Sequence, residues 1–406
     1  MANNNENKIL NVPNLRFPEF TGEWKQSLLK EYLVENKERN TKGVFSKAEV
    51  LSVSGDKGIV NQIELLGRSY AGQSVLPYHI VRRNNIVYTK SPLSEFPYGI
   101  VKMNRGNDGI VSTLYAVYSV QETAYPSFIE YYFASKDRTN RYFKPIVRIG
   151  AKHDMKIGNG EVLANMVRFP SIKEQRRISE FLELIDKRIA TQNKIIEDLK
   201  KLKSAIIDYI FSNEAQSYRK RVLLSDVATK ITRKNTNNQI SNVLSNSANQ
   251  GIIPQNEVFD REIANEDNTS NYFVISQNDF VYNPRKSITA PYGPINRYHG
   301  ETDGVISPLY LCFRSHSIDV EYLRWYFQSD SWHKYVYQNG DTGVRHDRVS
   351  IKDETFFSMP LYIHSAEEQM EIAERLNKIE SLVSIEEQFL FRLKSQKQYL
   401  LHQMFI

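Results

Sequence analysis

One helix-period pattern occurs twice in this chain and constrains it more than any other feature. From about Lys173 to Phe211, the residues Ile178, Leu182, Ile185, Ile189, Ile196, Leu199, Ile206 and Ile210 recur at alternating steps of four and three, and Gln192 and Lys203 fill the two remaining places. From about Glu367 to Phe405 the pattern returns 194 residues later as Ile372, Leu376, Ile379, Val383, Leu390, Leu393, Leu400 and Met404, with Glu386 and Lys397 at the polar places. Apolar side chains every 3.5 residues make a seam that another surface must cover. Each helix could pack on its own domain, but polar residues at the same two layers in both copies favour mutual pairing. The net charges, +2 for residues 171–212 and −2 for 366–406, favour it too. Both copies open on a capping-box sequence, Ser171-Ile-Lys-Glu174 and Ser365-Ala-Glu-Glu368. The serine accepts the third amide and the glutamate reaches back.

An antiparallel pairing has two sensible registers. One overlaps all ten seam layers and sets Lys203 against Ile379 and Glu386 against Ile196. The other gives up two layers but sets Lys203 against Glu386 and Gln192 against Lys397, leaving Ile178, Leu182, Ile372 and Leu376 to the domains. Charges facing isoleucine in a dry seam cost several kcal/mol, so the second register is expected.

The repetition extends upstream of each helix. Val50-Leu-Ser-Val-Ser-Gly-Asp-Lys-Gly-Ile-Val60 matches Val243-Leu-Ser-Asn-Ser-Ala-Asn-Gln-Gly-Ile-Ile253, Pro97-Tyr-Gly99 matches Pro291-Tyr-Gly293, and Gly150-Ala-Lys-His-Asp154 matches Gly343-Val-Arg-His-Asp347. Ordered matches at one offset mark an internal duplication. The unit is an α+β domain followed by one long helix: residues 1–170, helix 171–212, residues 213–365, helix 366–406. Within the first domain, Val50–Val53 and Ile59–Gln62 read as a hairpin. Asn85–Thr89, Ile110–Tyr118 and Val162–Arg168 read as strands, and Ser127–Ala134 as a helix. A short helix is expected around Ser27–Val34, and residues 1–14, rich in asparagine, are expected to be disordered. Pro13–Trp24 reads as an extended segment on the domain surface. Between the matches the halves diverge, as expected of two copies doing one kind of job on different ligands.

At 406 residues the chain has room for two or three domains. It has one cysteine, Cys312, so no internal disulfide and no cysteine-based zinc site can form, and a reducing, cytoplasmic location is expected. The start has no signal-peptide pattern and no apolar run is long enough to span a membrane. Of the net +6, residues 1–170 carry +7 and residues 213–365 carry −1. The first domain is therefore drawn to a polyanion as a whole, and the second only through local patches.

No catalytic constellation stands out. A phosphate-binding P-loop is absent, since the chain has no Gly-Lys dipeptide. Asn283-Pro-Arg285 is a poor fit to the Asn-Pro-Pro-aromatic tetrad of amino-methyltransferases, and Asp154-Met-Lys156 lacks the upstream carboxylate of a nuclease site. The repeated histidines, His153 and His346, have no triad or metal-ligand spacing; each reads equally as a loop cap or a DNA contact. Binding signals are stronger. In predicted loops of the first half stand Lys57, Lys90, Tyr98, Lys102, Arg105, Arg148, Lys152, His153 and Lys156. In the second stand Gln250, Asn283, Arg285, Lys286, Tyr292, Arg297, Arg345, His346 and Arg348. Singly, such residues are ordinary solvated surface. Together, at corresponding places in two repeats, they suit base edges and phosphates.

With these features the sequence resembles the specificity (S) subunits of type I restriction–modification systems over nearly its whole length. Pro13-Asn-Leu-Arg-Phe-Pro-Glu-Phe-Thr-Gly-Glu-Trp24 looks like that family's start. Phe169-Pro-Ser-Ile-Lys-Glu-Gln175 and Leu361-Tyr-Ile-His-Ser-Ala-Glu-Glu-Gln369 resemble its Pro-x-x-x-Glu-Gln helix boundaries, the second departing where Tyr362-Ile363-His364 replaces a proline-rich turn. The resemblance implies an α+β protein with two pseudo-dyad-related target-recognition domains joined by two long antiparallel coiled-coil helices. Each domain would read half of a bipartite double-stranded DNA site. The helices would set the spacer and dock two modification (methyltransferase) subunits, with restriction (motor and nuclease) subunits joining that core. The chain itself would be non-catalytic and bind no cofactor; S-adenosylmethionine, ATP and Mg would belong to the partner subunits. A helix of 39 residues spans about 60 Å, enough for two domains about one DNA turn apart. A duplicated DNA-binding regulator and a protein-binding adaptor with a coiled-coil spacer remain alternatives. The first would need no methyltransferase dock, the second no nucleic-acid affinity.

Overall fold

The computed structural model describes residues 11–93, 95–149, 155–212, 219–258, 269–341 and 347–406. The chain forms two compact units, residues 1–193 with 389–406 and residues 194–388, so each unit holds part of both long helices.

In the first unit a four-stranded antiparallel sheet runs in the order Leu33–Glu35, Ala116–Val120, Ile86–Tyr88, Val101–Met103. Its interior strand, Ile86-Val-Tyr88, is buried at every residue, as an apolar run covered on both faces must be. The hairpin Leu51–Ser54/Gly58–Asn61 turns through Gly58 at φ +73°, a conformation that suits glycine. His79–Val81 pairs with Gly109–Val111, and Lys25–Leu28 pairs with Met166–Phe169, which ties the domain's beginning to the start of the long helix. The helices Pro126–Tyr132 and Lys136–Phe143 cover the sheet, with Phe143 stacked on Tyr88 at 4.4 Å between ring centroids. This core also takes in Ile178 and Leu182 of the first long helix and Leu400, Leu401, Met404 and Phe405 of the second.

The second unit repeats the plan. Ala228–Lys230, Leu311–Ser315, Phe280–Tyr282 and Ile295–Arg297 form the same four-stranded order, and Lys220–Leu223 pairs with Pro360–Ile363. The hairpin Val243–Ser247/Gly251–Pro254 again turns through a glycine, Gly251 at φ +75°. Trp325, Trp332 and Tyr282 fill a core that includes Ile207 and Phe211 of the first long helix and Ala373 and Leu376 of the second.

The long helices span Ile172–Phe211 and Ala366–Gln403 and run antiparallel in each unit. Their register differs from the expected one. Lys203 meets Glu380 at 3.4 Å, not Glu386, and Lys397 meets Asp186, not Gln192. This is the ten-layer alignment. Its lysines escape the cost of facing isoleucine because each leans one residue past it, onto an acid at the seam's edge. Each ammonium also finds an aromatic ring of the domain: Lys397 lies 5.6 Å from the Tyr131 centroid, and Lys203 lies 5.5 Å from Trp325. The Tyr131 hydroxyl donates to Asp186 (2.7 Å), and Trp325 Nε1 donates to Asn377 (2.9 Å). Asp186 and Glu380, Tyr131 and Trp325, Lys203 and Lys397 are each 194 residues apart, so one clamp was duplicated with the fold.

The helix starts differ from each other. Ser365 and Glu368 form the full capping box, with Glu368 accepting from the Ser365 amide at 2.9 Å. In the first copy the Glu174 amide donates to Ser171 Oγ, but the Glu174 carboxylate is held by Arg16 at 2.7 Å through two nitrogens and by Trp24 Nε1 at 3.2 Å. A bidentate guanidinium outcompetes one amide. Trp24 is consequently a core residue, not part of a surface segment. Gln175 and Gln369 act alike: each accepts from a domain amide, of Tyr125 or Asp319, and donates to the carbonyl of Pro170 or His364.

Four local expectations change. Residues Ser27–Val34 are not a helix but strand, one 3-10 turn and strand, because each strand finds a partner far along the chain. The Ile110–Tyr118 stretch breaks into Gly109–Val111 and Ala116–Val120, and Val162 ends a helical turn before Met166–Phe169. Residues 11–14 are ordered, with Asn11 accepting from the Trp24 amide, while residues 1–10 lie outside the described residues.

Candidate nucleic-acid interface

The repeated Pro-Tyr-Gly motifs close corresponding loops at their base. The Tyr88 hydroxyl donates to the Tyr98 carbonyl at 2.6 Å, and Tyr282 donates to Tyr292 at 2.9 Å. Gly99 and Gly293 both hold φ +84°, and a Cβ on Gly293 would stand 2.0 Å from the Asn283 carbonyl oxygen. The base is thus fixed while the loop between is free to diverge, which suits a scaffold that presents different recognition surfaces.

In the second unit three segments converge around this loop. Asn283 donates to the Asn246 carbonyl (2.9 Å) and accepts from the Arg285 amide (3.0 Å). Thr289 donates to Asn249 at 3.0 Å, joining the loop to the turn that carries Gln250. The Lys286 amide donates to the Asp347 carbonyl (2.8 Å), and Arg285 bridges Arg348 across antiparallel backbone. Arg285, Lys286 and Arg348 thus come together beside the Asp347 carboxylate, which lies 3.9 Å from both arginines. This is the local positive patch that a domain of net −1 needs to attract a polyanion.

In the first unit Lys57 is exposed at the hairpin turn, and Arg148 lies opposite Lys156 on a short ribbon. Like charges directly opposed across strands are destabilising. Both units carry such a pair, Arg148 with Lys156 and Arg285 with Arg348; Asp347 partly offsets the second, and a bound phosphate would suit either.

Other candidates are engaged inside the protein. Arg297 is 8% exposed and bonded to Glu321 at 2.5 Å, so its guanidinium is not offered to a ligand. Lys102 and Arg105 face Glu130, and Arg105 also reaches Glu183 on the long helix. Burial lowers the Lys102 pKa, partly countered by Glu130. Lys90 donates to Asn159 at 2.9 Å and is also lowered, first by burial. Tyr98 packs on the core and Tyr292 against His333. Lys102, Arg105 and Arg297 stand where carboxylates on neighbouring helices, Glu130, Glu183 and Glu321, claim them. Lys152, His153, Arg345 and His346, with the loops 150–154 and 343–346, lie outside the described residues. Asn249, Ile288 and Thr289 belong to the convergent cluster but carry no charge that would have marked them in the sequence. Among the described residues no group of histidine, cysteine and carboxylate side chains could hold a metal ion, and no helix is long and apolar enough to cross a membrane. Cys312 is buried, which pushes its thiol up to about 12.

No family model matches the chain, and no curated protein matches its sequence. Solved structures do. A chain from a structure on complex assembly and conformational transition of the type I R-M system aligns at 15% identity over 93% of this chain and 96% of its own, with a TM-score of 0.56. The type I restriction-modification S subunit from M. genitalium aligns at 13% identity over 97% and 99%, with a TM-score of 0.53. The fold is that of type I S subunits. The alignment with that S subunit takes in nearly the whole of both chains. At such low identity the kinship is architectural, and residue-level chemistry has to come from this chain's own surface.

Proposed function

We propose that this chain is the non-catalytic specificity subunit of a type I restriction–modification complex. In this reading residues 1–170 and 213–365 each recognise one half of a bipartite double-stranded DNA target. The helices 171–212 and 366–406 fix the unread spacer and dock modification subunits, while restriction subunits join the assembly. S-adenosylmethionine, ATP and Mg act in those partners. The observation that carries the reading is the doubling of one α+β domain on antiparallel helices, with opposed surface cations in both copies. A doubled reader on a stiff spacer suits a gapped target better than a continuous one.

The test is to map methylated bases in DNA from cells expressing this chain with its modification partner. A bipartite motif with a fixed gap is expected. A continuous motif would overturn the proposal.

A further inference from the structure

The apex of the second-domain loop holds a side chain that its own fold does not use. Ile288 is fully exposed, at 103%. The backbone beneath it is held firmly. The Ser287 amide donates to the Ala290 carbonyl (3.0 Å), the Ala290 amide donates to Ser287 Oγ (3.0 Å), and Thr289 is tied to Asn249. A β-branched side chain on a hydrogen-bonded turn has few rotamers left to lose on contact. A single exposed isoleucine is ordinary in itself. This one stands beside Arg285 and Lys286, on a loop bonded to the turn that presents Asn249 and Gln250.

That combination has a chemical meaning. Cations hold phosphates, side-chain amides read base edges, and an apolar tip matches the one apolar group in the major groove, the thymine C5-methyl. The excess of cations around the loop favours a polyanion over an apolar protein surface as the occupant. We propose that Ile288 is a specificity-determining residue that reads a thymine methyl in the half-site of residues 213–365. This rests on the DNA-reading role proposed above and adds the residue and the group it contacts.

The experiment uses the full chain with its modification subunit and duplexes carrying the mapped motif. Each thymine of that half-site, on either strand, is replaced in turn by uracil, which deletes only the methyl. The wild-type complex should bind about fourfold more weakly at one position, the effect of one buried methyl-sized group. Ile288→Ala should bind the thymine and uracil duplexes equally there, with an unchanged melting temperature. Three results overturn the assignment: a half-site without thymine on either strand, no methyl that discriminates, or the same discrimination in Ile288→Ala. If the wild-type complex does not prefer the motif duplex to a scrambled one, the DNA-reading role falls with it.

Discussion

Replacing Lys203 by methionine removes the ammonium from the second unit's clamp and keeps most of the stem. The ammonium stands 3.4 Å from Glu380 and 5.5 Å from the Trp325 ring, on a side chain 22% exposed. At an effective dielectric of about 20, the bare attraction at this distance approaches ~5 kcal/mol. Desolvation offsets much of it, and so does competition from Arg324, 3.0 Å from the other Glu380 oxygen. Partly exposed pairs retain about 1 kcal/mol, and the ring contact adds roughly 0.5 kcal/mol. We therefore expect Lys203→Met to cost about 1.5 kcal/mol, lowering the melting temperature by roughly 2–4 °C. Glu380→Gln should cost about as much, because it takes the carboxylate from both Lys203 and Arg324, although Arg324 keeps Glu321. The double variant should show a coupling of about 1 kcal/mol, whereas Lys203→Met with Glu386→Leu should be additive. Urea unfolding followed by tryptophan fluorescence suits the measurement, since Trp325 and Trp332 report on this unit. A Lys203–Glu380 coupling under about 0.5 kcal/mol, the additivity error, would refute the assigned register. So would an equal coupling to Glu386.

Three further outcomes are expected. Exchanging residues 1–170 for the matching domain of a related chain should change one half of the methylated motif; a change in both halves, or in neither, counts against independent readers. Gln175→Ala leaves the Tyr125 amide without its 2.9 Å acceptor, and should destabilise the first unit by about 2 kcal/mol in denaturant titration; a change within about 0.5 kcal/mol would show the staple to be dispensable. His79 is buried with Nδ1 unbonded, and burial, then Arg39 and Lys90, push its pKa down to about 4. The unfolded chain takes up this proton first, so stability should fall as pH drops from about 6.5 to 4. His79→Gln should flatten that slope, and equal slopes would assign the pH dependence to other groups.

The long helices were legible because a heptad seam is a local, repeated signal, and the duplication because its anchors keep a constant offset. The register was not legible, because layer matching weighs only two helices. The decisive partners of Lys203 and Lys397 are an acid outside the seam and a ring from a third element. The strands around Ser27–Val34 escaped for a similar reason: their apolar spacing fits a helical turn, and only distant partners make them strands. At the candidate interface the sequence named cations without seeing carboxylates. It gave Arg297 and Arg285 equal standing, although Glu321 claims the first and the second stays exposed. Uncharged Asn249 and Thr289 could be placed only once their mutual hydrogen bond was visible.

The sharing of the helix ends between the two units also orders events on the ribosome. Residues 194–388 are continuous, so the second unit can close as soon as it emerges. The first is synthesised earlier, yet its core includes Leu400, Leu401, Met404 and Phe405. At 5–20 residues per second, roughly 10–40 s separate the emergence of residue 193 from that of residue 405. Through that interval Trp24 and Phe128 lack the cover of Phe405, so the half made first is the half finished last. Chaperone demand during translation should concentrate on the N-terminal domain, and a nonsense codon near position 395 would do its harm at the opposite end of the sequence.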